Sequence, residues 1–172
     1  MGKAASKLDS QSDQVDMTTL PVRGAIGETR LRVRYAETDQ MGVVYHSNYF
    51  IWFEVGRVEL LRQLGFTYRE MEREAECLIA VADARCRYKA PARYDDVVLV
   101  RTHLKNVRES LIHFGYQAIR EADGTLLAEG ETTHIVTDRE LKRRELPGKY
   151  LQAFKAAVAR NDDGRALARE QG

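Results

Sequence analysis

The stretch Arg34-Tyr35-Ala36-Glu37-Thr38-Asp39-Gln40-Met41-Gly42-Val43-Val44-Tyr45-His46-Ser47-Asn48-Tyr49 sets one aspartate, a glycine turn and a helix start within a single short connection. Before it, Thr29, Leu31, Val33 and Tyr35 alternate with Arg30, Arg32 and Arg34, the period of two expected of a strand with one polar face. That strand is read as ending at Tyr35 or Ala36. After it, Ser47 or Asn48 can cap a helix, while Tyr49, Trp52, Phe53, Gly56, Leu60 and Leu64 recur at helical spacing. Gly65 suits the C-terminal cap, so the spacing predicts a helix from about Asn48 to about Leu64. Ile51, Val55, Val58 and Leu61 widen its apolar stripe beyond what a surface helix needs, and burial on more than one side is expected.

Downstream, four segments have strand character: Cys77 to Tyr88, Val97 to Val107, Leu111 to Arg120 and Thr125 to Thr137. Leu78-Ile79-Ala80-Val81 and Val97-Val98-Leu99-Val100 are apolar runs of strand length, whereas Ile112, Phe114, Tyr116 and Ala118 alternate with more polar neighbours. Asp123-Gly124 marks a tight hairpin between the last two strands. The resulting order is a strand, a long helix and four strands. On pattern alone this is an α+β domain with a buried helix.

A chain of 172 residues is of single-domain size and can bury a substantial core. Its 27 Lys plus Arg against 26 Asp plus Glu offer no overall attraction to nucleic acid. Residues 1–26 are polar and aperiodic and are expected to be disordered. They contain no apolar run of signal-peptide length, and nothing in the chain reaches the length of a membrane span, which points to a cytoplasmic protein. Cys77 and Cys86 lie on one expected strand, nine positions or roughly 30 Å apart, too far for a disulfide, and lack Cys-x-x-Cys spacing. No metal site is expected. The domain is read as residues 27–146, followed over 147–172 by a short amphipathic helix through Tyr150, Leu151, Phe154, Ala157 and Val158 and a polar tail opening at Asn161. Gly-x-Ser-x-Gly, His-Glu-x-x-His and phosphate-cradling loops are absent, which removes serine-hydrolase, zinc-protease and nucleotide-binding readings.

The pattern Asp39-x-x-Gly42-x-Val44-x-x-x-Asn48-Tyr49, between a strand and a long helix, resembles the hotdog-fold acyl-CoA thioesterases of the 4-hydroxybenzoyl-CoA thioesterase type. More closely, Thr38-Asp39, Gly42-Val43-Val44-Tyr45-His46 and Asn48-Tyr49 resemble the bacterial branch that includes the Tol-Pal-associated acyl-CoA thioesterase. The Tyr88-Lys89-Ala90-Pro91-Ala92-Arg93-Tyr94-Asp95-Asp96 segment is similar to that family's strand-turn-strand step. The resemblance covers roughly residues 28 to 140. It implies a five-stranded antiparallel sheet wrapped around the central helix, pairing into homodimers and a dimer of dimers, with sites at the dimer interface. It also implies an acyl-CoA substrate, no cofactor and no metal.

The implied chemistry needs a base or nucleophile and a partner for the carbonyl oxygen. An aspartate is ionised at neutral pH, so Asp39 could attack the carbonyl or activate water. Backbone N–H groups in a first helical turn lack intrahelical acceptors, and by resemblance the His46 amide is the candidate for polarising the thioester. The His46 imidazole could orient substrate or shuttle a proton. Gly42 would let the loop turn tightly. Val44, Tyr45, Asn48 and Tyr49 complete the expected substrate-binding set, although Tyr49 and Trp52 also read as core. Glu54 is the rival carboxylate, read in preference as an ion-pair partner of Arg57, with Glu59 and Arg62 a similar pair. Lys89, Arg93, Arg139, Lys142, Arg143 and Arg144 could meet the phosphates of coenzyme A, and Lys142-Arg143-Arg144 an acidic carrier protein. An acyl-carrier-protein thioesterase and a non-catalytic acyl-CoA-binding oligomer are the alternative readings.

Overall fold

The computed structural model describes residues 26–170, with side chains over 27–160. The N-terminal segment expected to be disordered lies outside the described residues up to residue 25. In chain order the elements are β1 (Ile26–Arg32), a 3-10 turn (Tyr35–Glu37), α1 (Asn48–Gln63), α2 (Tyr68–Glu74), β2 (Leu78–Tyr88), β3 (Val97–Arg108), β4 (Leu111–Arg120), β5 (Leu126–Thr137) and α3 (Gly148–Glu170). The five strands form one sheet in the order β1-β3-β4-β5-β2, with every neighbouring pair antiparallel.

Alternation along the strands decides which side chains meet α1. Val98, Val100, Thr102 and Leu104 of β3, Ile112, Phe114, Tyr116 and Ala118 of β4, and Ala128, Thr132, His134 and Val136 of β5 are buried at every second position. They face Tyr49, Trp52, Phe53, Gly56 and Leu60 of α1, which share a helix face at spacings of three and four. Phe53 stacks on Tyr116 with ring centroids 4.6 Å apart. The contact is close because Gly56 and Gly130 leave space: a Cβ at Gly56 would lie 2.4 Å from Thr102 Oγ1, and one at Gly130 would lie 2.2 Å from Phe53 Cε2.

Several local expectations are corrected. The first strand stops at Arg32 because Tyr35–Glu37 winds into a 3-10 turn, leaving Tyr35 77% exposed. α2 has no counterpart in the sequence reading, although Thr67 and Glu70 form a capping box that announces it. α3 runs to Glu170, through the segment read as a polar tail, and its Tyr150, Phe154 and Ala157 belong to the core. Phe66 joins it there, packing 4.9 Å from Tyr150 and 5.4 Å from Phe154. The good helix formers of Arg165-Ala166-Leu167-Ala168-Arg169 outweigh the breaker character of Asn161-Asp162-Asp163-Gly164. No Glu54–Arg57 ion pair forms among the described residues: Glu54 is exposed and Arg57 lies beside the Tyr116 hydroxyl. Glu59 does pair with Arg62 at 2.7 Å, as its spacing suggests, with Glu59 buried at 8% exposure. Cys77 and Cys86 are both free thiols.

A polar chain runs through the core on the inner face. His134 Nε2 lies 2.9 Å from Thr132 Oγ1, which shares a 2.7 Å hydrogen bond with the Tyr116 hydroxyl. Burial pushes the His134 imidazole down to about 4, helped by the charges of Arg57 and His113. An unfolded histidine titrates near 6.5, so between these values the unfolded chain takes up a proton that the folded protein refuses. The stability contribution is therefore whole above about pH 6.5 and is lost as pH falls towards 4, by on the order of 3 kcal/mol. Urea unfolding of wild type and His134→Gln between pH 7 and pH 4 should show wild type losing that much more than the variant. Parallel curves would refute the assignment.

Candidate active site

The decisive stretch folds as a hairpin that delivers the chain to the start of α1. Asp39 N–H donates to the Val43 carbonyl at 2.9 Å, Gly42 N–H donates to the Asp39 carbonyl at 2.9 Å, and Thr38 bridges Val44 in antiparallel fashion. Gly42 has φ +69°, the left-handed conformation that a three-residue hairpin loop needs at its last position. The Asp39 carboxylate itself accepts the Met41 N–H at 2.8 Å and is otherwise open. Val44 N–H then pairs with the Ala92 carbonyl at 2.9 Å, docking the hairpin on the segment after β2.

The helix start is held from several sides. Ser47 is the N-cap, without a side-chain capping bond, and the Asn48 amide turns back to donate to the Glu37 carbonyl at 2.9 Å. Tyr45 N–H donates to that same carbonyl at 2.9 Å, and Asn48 N–H donates to the Tyr45 carbonyl at 3.0 Å. The Tyr45 carbonyl and the His46 N–H belong to one peptide plane and point in opposite directions. Fixing the first therefore aims the second, and the His46 N–H meets no acceptor among the described residues. From β2, the Tyr88 phenol donates to the His46 carbonyl at 3.0 Å. Burial, together with neighbouring Cys86, pushes that phenol up to about 12, so it stays a donor at neutral pH.

These groups border a pocket of about 420 Å³ lined by Asp39, Met41, Val43, Val44, Tyr45, His46, Tyr49, Tyr88, Lys89, Ala90 and Pro91. Its walls are apolar and aromatic, with the Tyr49 and Tyr88 rings edge to face at 5.2 Å and Tyr45 beside His46 at 4.4 Å. Of the expected site residues, Asp39, Val44, Tyr45, His46 and Tyr49 come together here. Gly42 and Asn48 shape the loop and helix start without lining the pocket. Tyr49 serves core and pocket at once: it is buried, packs against Trp52 at 4.7 Å, and its hydroxyl accepts the Ala92 N–H at 3.3 Å.

Of the basic residues singled out, Lys89 lines the pocket while paired with Glu129 at 3.2 Å, and Arg93 reaches the Gly42 carbonyl at 3.4 Å. Arg143 bonds Ser110 at 2.7 Å and Arg144 bonds the Ala75 carbonyl at 3.0 Å, both away from the pocket. Among the described residues no group of three His, Cys, Asp or Glu side chains is placed to hold a metal ion. No helix among them is long and apolar enough to cross a membrane.

Two residues of consequence escaped the sequence reading. Tyr88 was recognised only as part of the strand-turn-strand step, though an amphipathic aromatic at a strand end is a reasonable pocket candidate. Glu37 was not singled out at all, yet it is buried at 5% exposure. Burial raises its carboxyl pKa, but the Arg34 guanidinium, the Arg34 N–H and the Trp52 indole outweigh that and hold it below the usual range. The only local clue was an acidic residue three positions after Arg34.

The model of the thioesterase-like superfamily matches residues 33–158. The protein named "Putative acyl-CoA thioesterase YneP" of Bacillus subtilis is 39% identical over 129 residues, 75% of this chain and 90% of its own length. The acyl-CoA thioester hydrolase YbgC of Escherichia coli is 35% identical over 126 residues, 73% of this chain and 92% of its own. The crystal structure of DHNA-CoA thioesterase from Staphylococcus aureus superposes with a TM-score of 0.76 at 32% identity, covering 81% of this chain and 95% of that one. The matched region takes in the hairpin, α1 and every strand of the sheet but β1, and with them the pocket, so the chain belongs to the thioesterase-like superfamily of hotdog-fold enzymes.

Proposed function

We propose that the protein is an acyl-CoA thioesterase, hydrolysing the thioester to a carboxylic acid and free coenzyme A. The observation that carries this reading is the juxtaposition in one apolar pocket of the Asp39 carboxylate and the acceptor-free His46 N–H at the start of α1. A helix start offers the carbonyl oxygen a donor just where charge builds in the tetrahedral transition state. Asp39 acts on the other side of the carbonyl carbon, as nucleophile through a mixed anhydride or as general base towards water. In both routes the C–S bond breaks and the thiolate leaves; water adds to the thioester carbonyl in the second, and in the first it hydrolyses the anhydride, releasing the acid and restoring the Asp39 carboxylate. Val44, Tyr45 and Tyr49 hold the acyl group, and the His46 side chain orients substrate at the rim. The names of the relatives support a coenzyme A carrier.

A homodimer, and a dimer of two such dimers, completes this reading. Among the described residues β2 pairs only with β5, leaving an edge of eleven residues, and from Ala82 to Arg85 its side chains are exposed on both faces. A long open edge is a pairing surface. Met41, Tyr45, Ile51, Val81 and Tyr88 are large apolar or aromatic residues that the protomer leaves uncovered. Two free cysteines fit a reducing, cytoplasmic setting.

Thiol release from acetyl-, butyryl-, hexanoyl-, palmitoyl-, benzoyl- and 4-hydroxybenzoyl-coenzyme A is the test, with the best acyl group also presented on acyl carrier protein. Turnover of at least one coenzyme A thioester, faster than of the same group on the carrier, is expected. Preference for the carrier would reassign the substrate, and saturable binding without thiol release would make the protein a binder.

A further inference from the structure

Glu37 stands at a point where the loop carrying Asp39, the segment leading to His46 and the first turns of α1 are tied together. Its Oε2 accepts the Arg34 N–H at 2.7 Å, while Oε1 accepts the Arg34 guanidinium at 3.0 Å and the Trp52 indole N–H at 3.1 Å. Its main-chain carbonyl accepts Tyr45 N–H and the Asn48 side-chain amide, both at 2.9 Å. Trp52 is itself almost fully buried, so the carboxylate is fastened to a side chain that has nowhere to go. Beyond it the tip of the hairpin, Gln40 to Gly42, is exposed, with Met41 77% exposed, and the returning side is held by the Val44 N–H on the Ala92 carbonyl.

We propose that Glu37 is a positioning residue for the reaction: its buried carboxylate fixes the Glu37 backbone against α1, and that backbone sets Asp39 and the His46 N–H on the same substrate carbonyl. This assignment rests on the acyl-CoA thioesterase reading. The chain runs only two residues from Glu37 to Asp39, and a single hydrogen bond leads from the Glu37 carbonyl to the Tyr45 amide, next to His46. A displacement of the Glu37 backbone therefore reaches both Asp39 and the peptide before the His46 N–H. A buried ionised carboxylate is a costly way to hold a loop, and an apolar residue would pack there more cheaply if adhesion were all that was required. What the carboxylate adds is direction, because three donors converge on two oxygens of fixed geometry.

Glu37→Gln tests this. The amide keeps the volume but offers one acceptor oxygen, so its NH2 must face either the Arg34 N–H or the guanidinium and indole donors. Expected is a kcat lower by about 10–100-fold per folded protein, with KM within about threefold, since misplacing reacting groups by an ångström costs on that order. Trp52→Phe, which removes one donor and keeps most of the ring, should give a smaller loss of the same kind. Amide hydrogen exchange on the same proteins should be at least about tenfold faster at Gly42 and Tyr45 in Glu37→Gln, with β3 and β4 unchanged. Unaltered kcat in folded Glu37→Gln overturns the proposal, as does activity that falls only in step with the folded fraction. If Glu37→Gln does not fold, Trp52→Phe decides by the same two criteria. Wild-type protein inert on every thioester would instead strike the functional reading, and unchanged exchange at Gly42 and Tyr45 would then reject Glu37 as the anchor independently.

Discussion

Asp39→Asn is expected to lower kcat for thioester hydrolysis by about 10³-fold or more, with the fold intact. The loss follows from chemistry: an amide neither attacks a thioester nor removes a proton from water, and removal of an enzyme's nucleophile or base commonly costs this much. The intact fold follows from geometry. Asparagine retains the oxygen that accepts the Met41 N–H at 2.8 Å, and the backbone bonds of residue 39 to Val43 and Gly42 involve no side chain. Asparagine is also at home at the first position of such a turn. Thermal unfolding should therefore move by no more than a few degrees, and acyl-coenzyme A should still bind. Thiol release and ligand titration on the same preparation separate the two effects. Activity within tenfold of wild type would remove Asp39 from the chemistry and transfer the base to another group bordering the pocket.

The largest effect on stability is expected from Gly130→Ala. A Cβ there would sit 2.2 Å from Phe53 Cε2, 2.7 Å from Cζ and 2.9 Å from Cδ2, well inside van der Waals contact. Phe53 has no free space to retreat into, being fully buried and stacked on Tyr116, whose hydroxyl is tied to Thr132. Either the ring leaves its rotamer or β5 moves away from α1. Overpacking of this kind costs about 1–3 kcal/mol and sometimes more. For a protein of this size that is a fall of roughly 2–12 °C in melting temperature. Phe53→Leu added to Gly130→Ala should recover part of the loss, since the smaller side chain vacates the clash, although Phe53→Leu alone should destabilise. Calorimetry on the four proteins makes a cycle, and additive losses would show that the two positions do not meet.

How much of this was legible beforehand depends on the range of the interaction. The helix over 48–63 follows from spacings of three and four along one segment, and the strands from alternation or short apolar runs within ten or so residues. The hairpin at Asp123-Gly124 and the turn at Gly42 are likewise local, since both glycines adopt positive φ, at +71° and +69°. By contrast, the first strand was read three or four residues too long, because alternation continues through Val33 and Tyr35 although the ladder with β3 ends at Arg32. The Glu54–Arg57 pair failed for a related reason. Helical spacing makes such a pair available, but Arg57 lies beside Tyr116 on a strand it approaches only in the folded protein.

The site divides along the same line. Local chemistry in the chain was enough to mark Asp39, Gly42 and the helix start at Asn48 and, by resemblance, to name the family and the class of reaction. That Tyr88 reaches the His46 carbonyl across 42 positions, that Trp52 and Asn48 meet Glu37 across 15 and 11, and that Phe53 occupies the space over Gly130 are facts of packing. Periodicity and caps report energies within one turn or one ladder rung, whereas the burial of a carboxylate depends on which distant donors the fold brings to it. The sequence could therefore single out Asp39 beside a helix start, and only the folded chain could show the buried Glu37 carboxylate that ties this loop to Trp52.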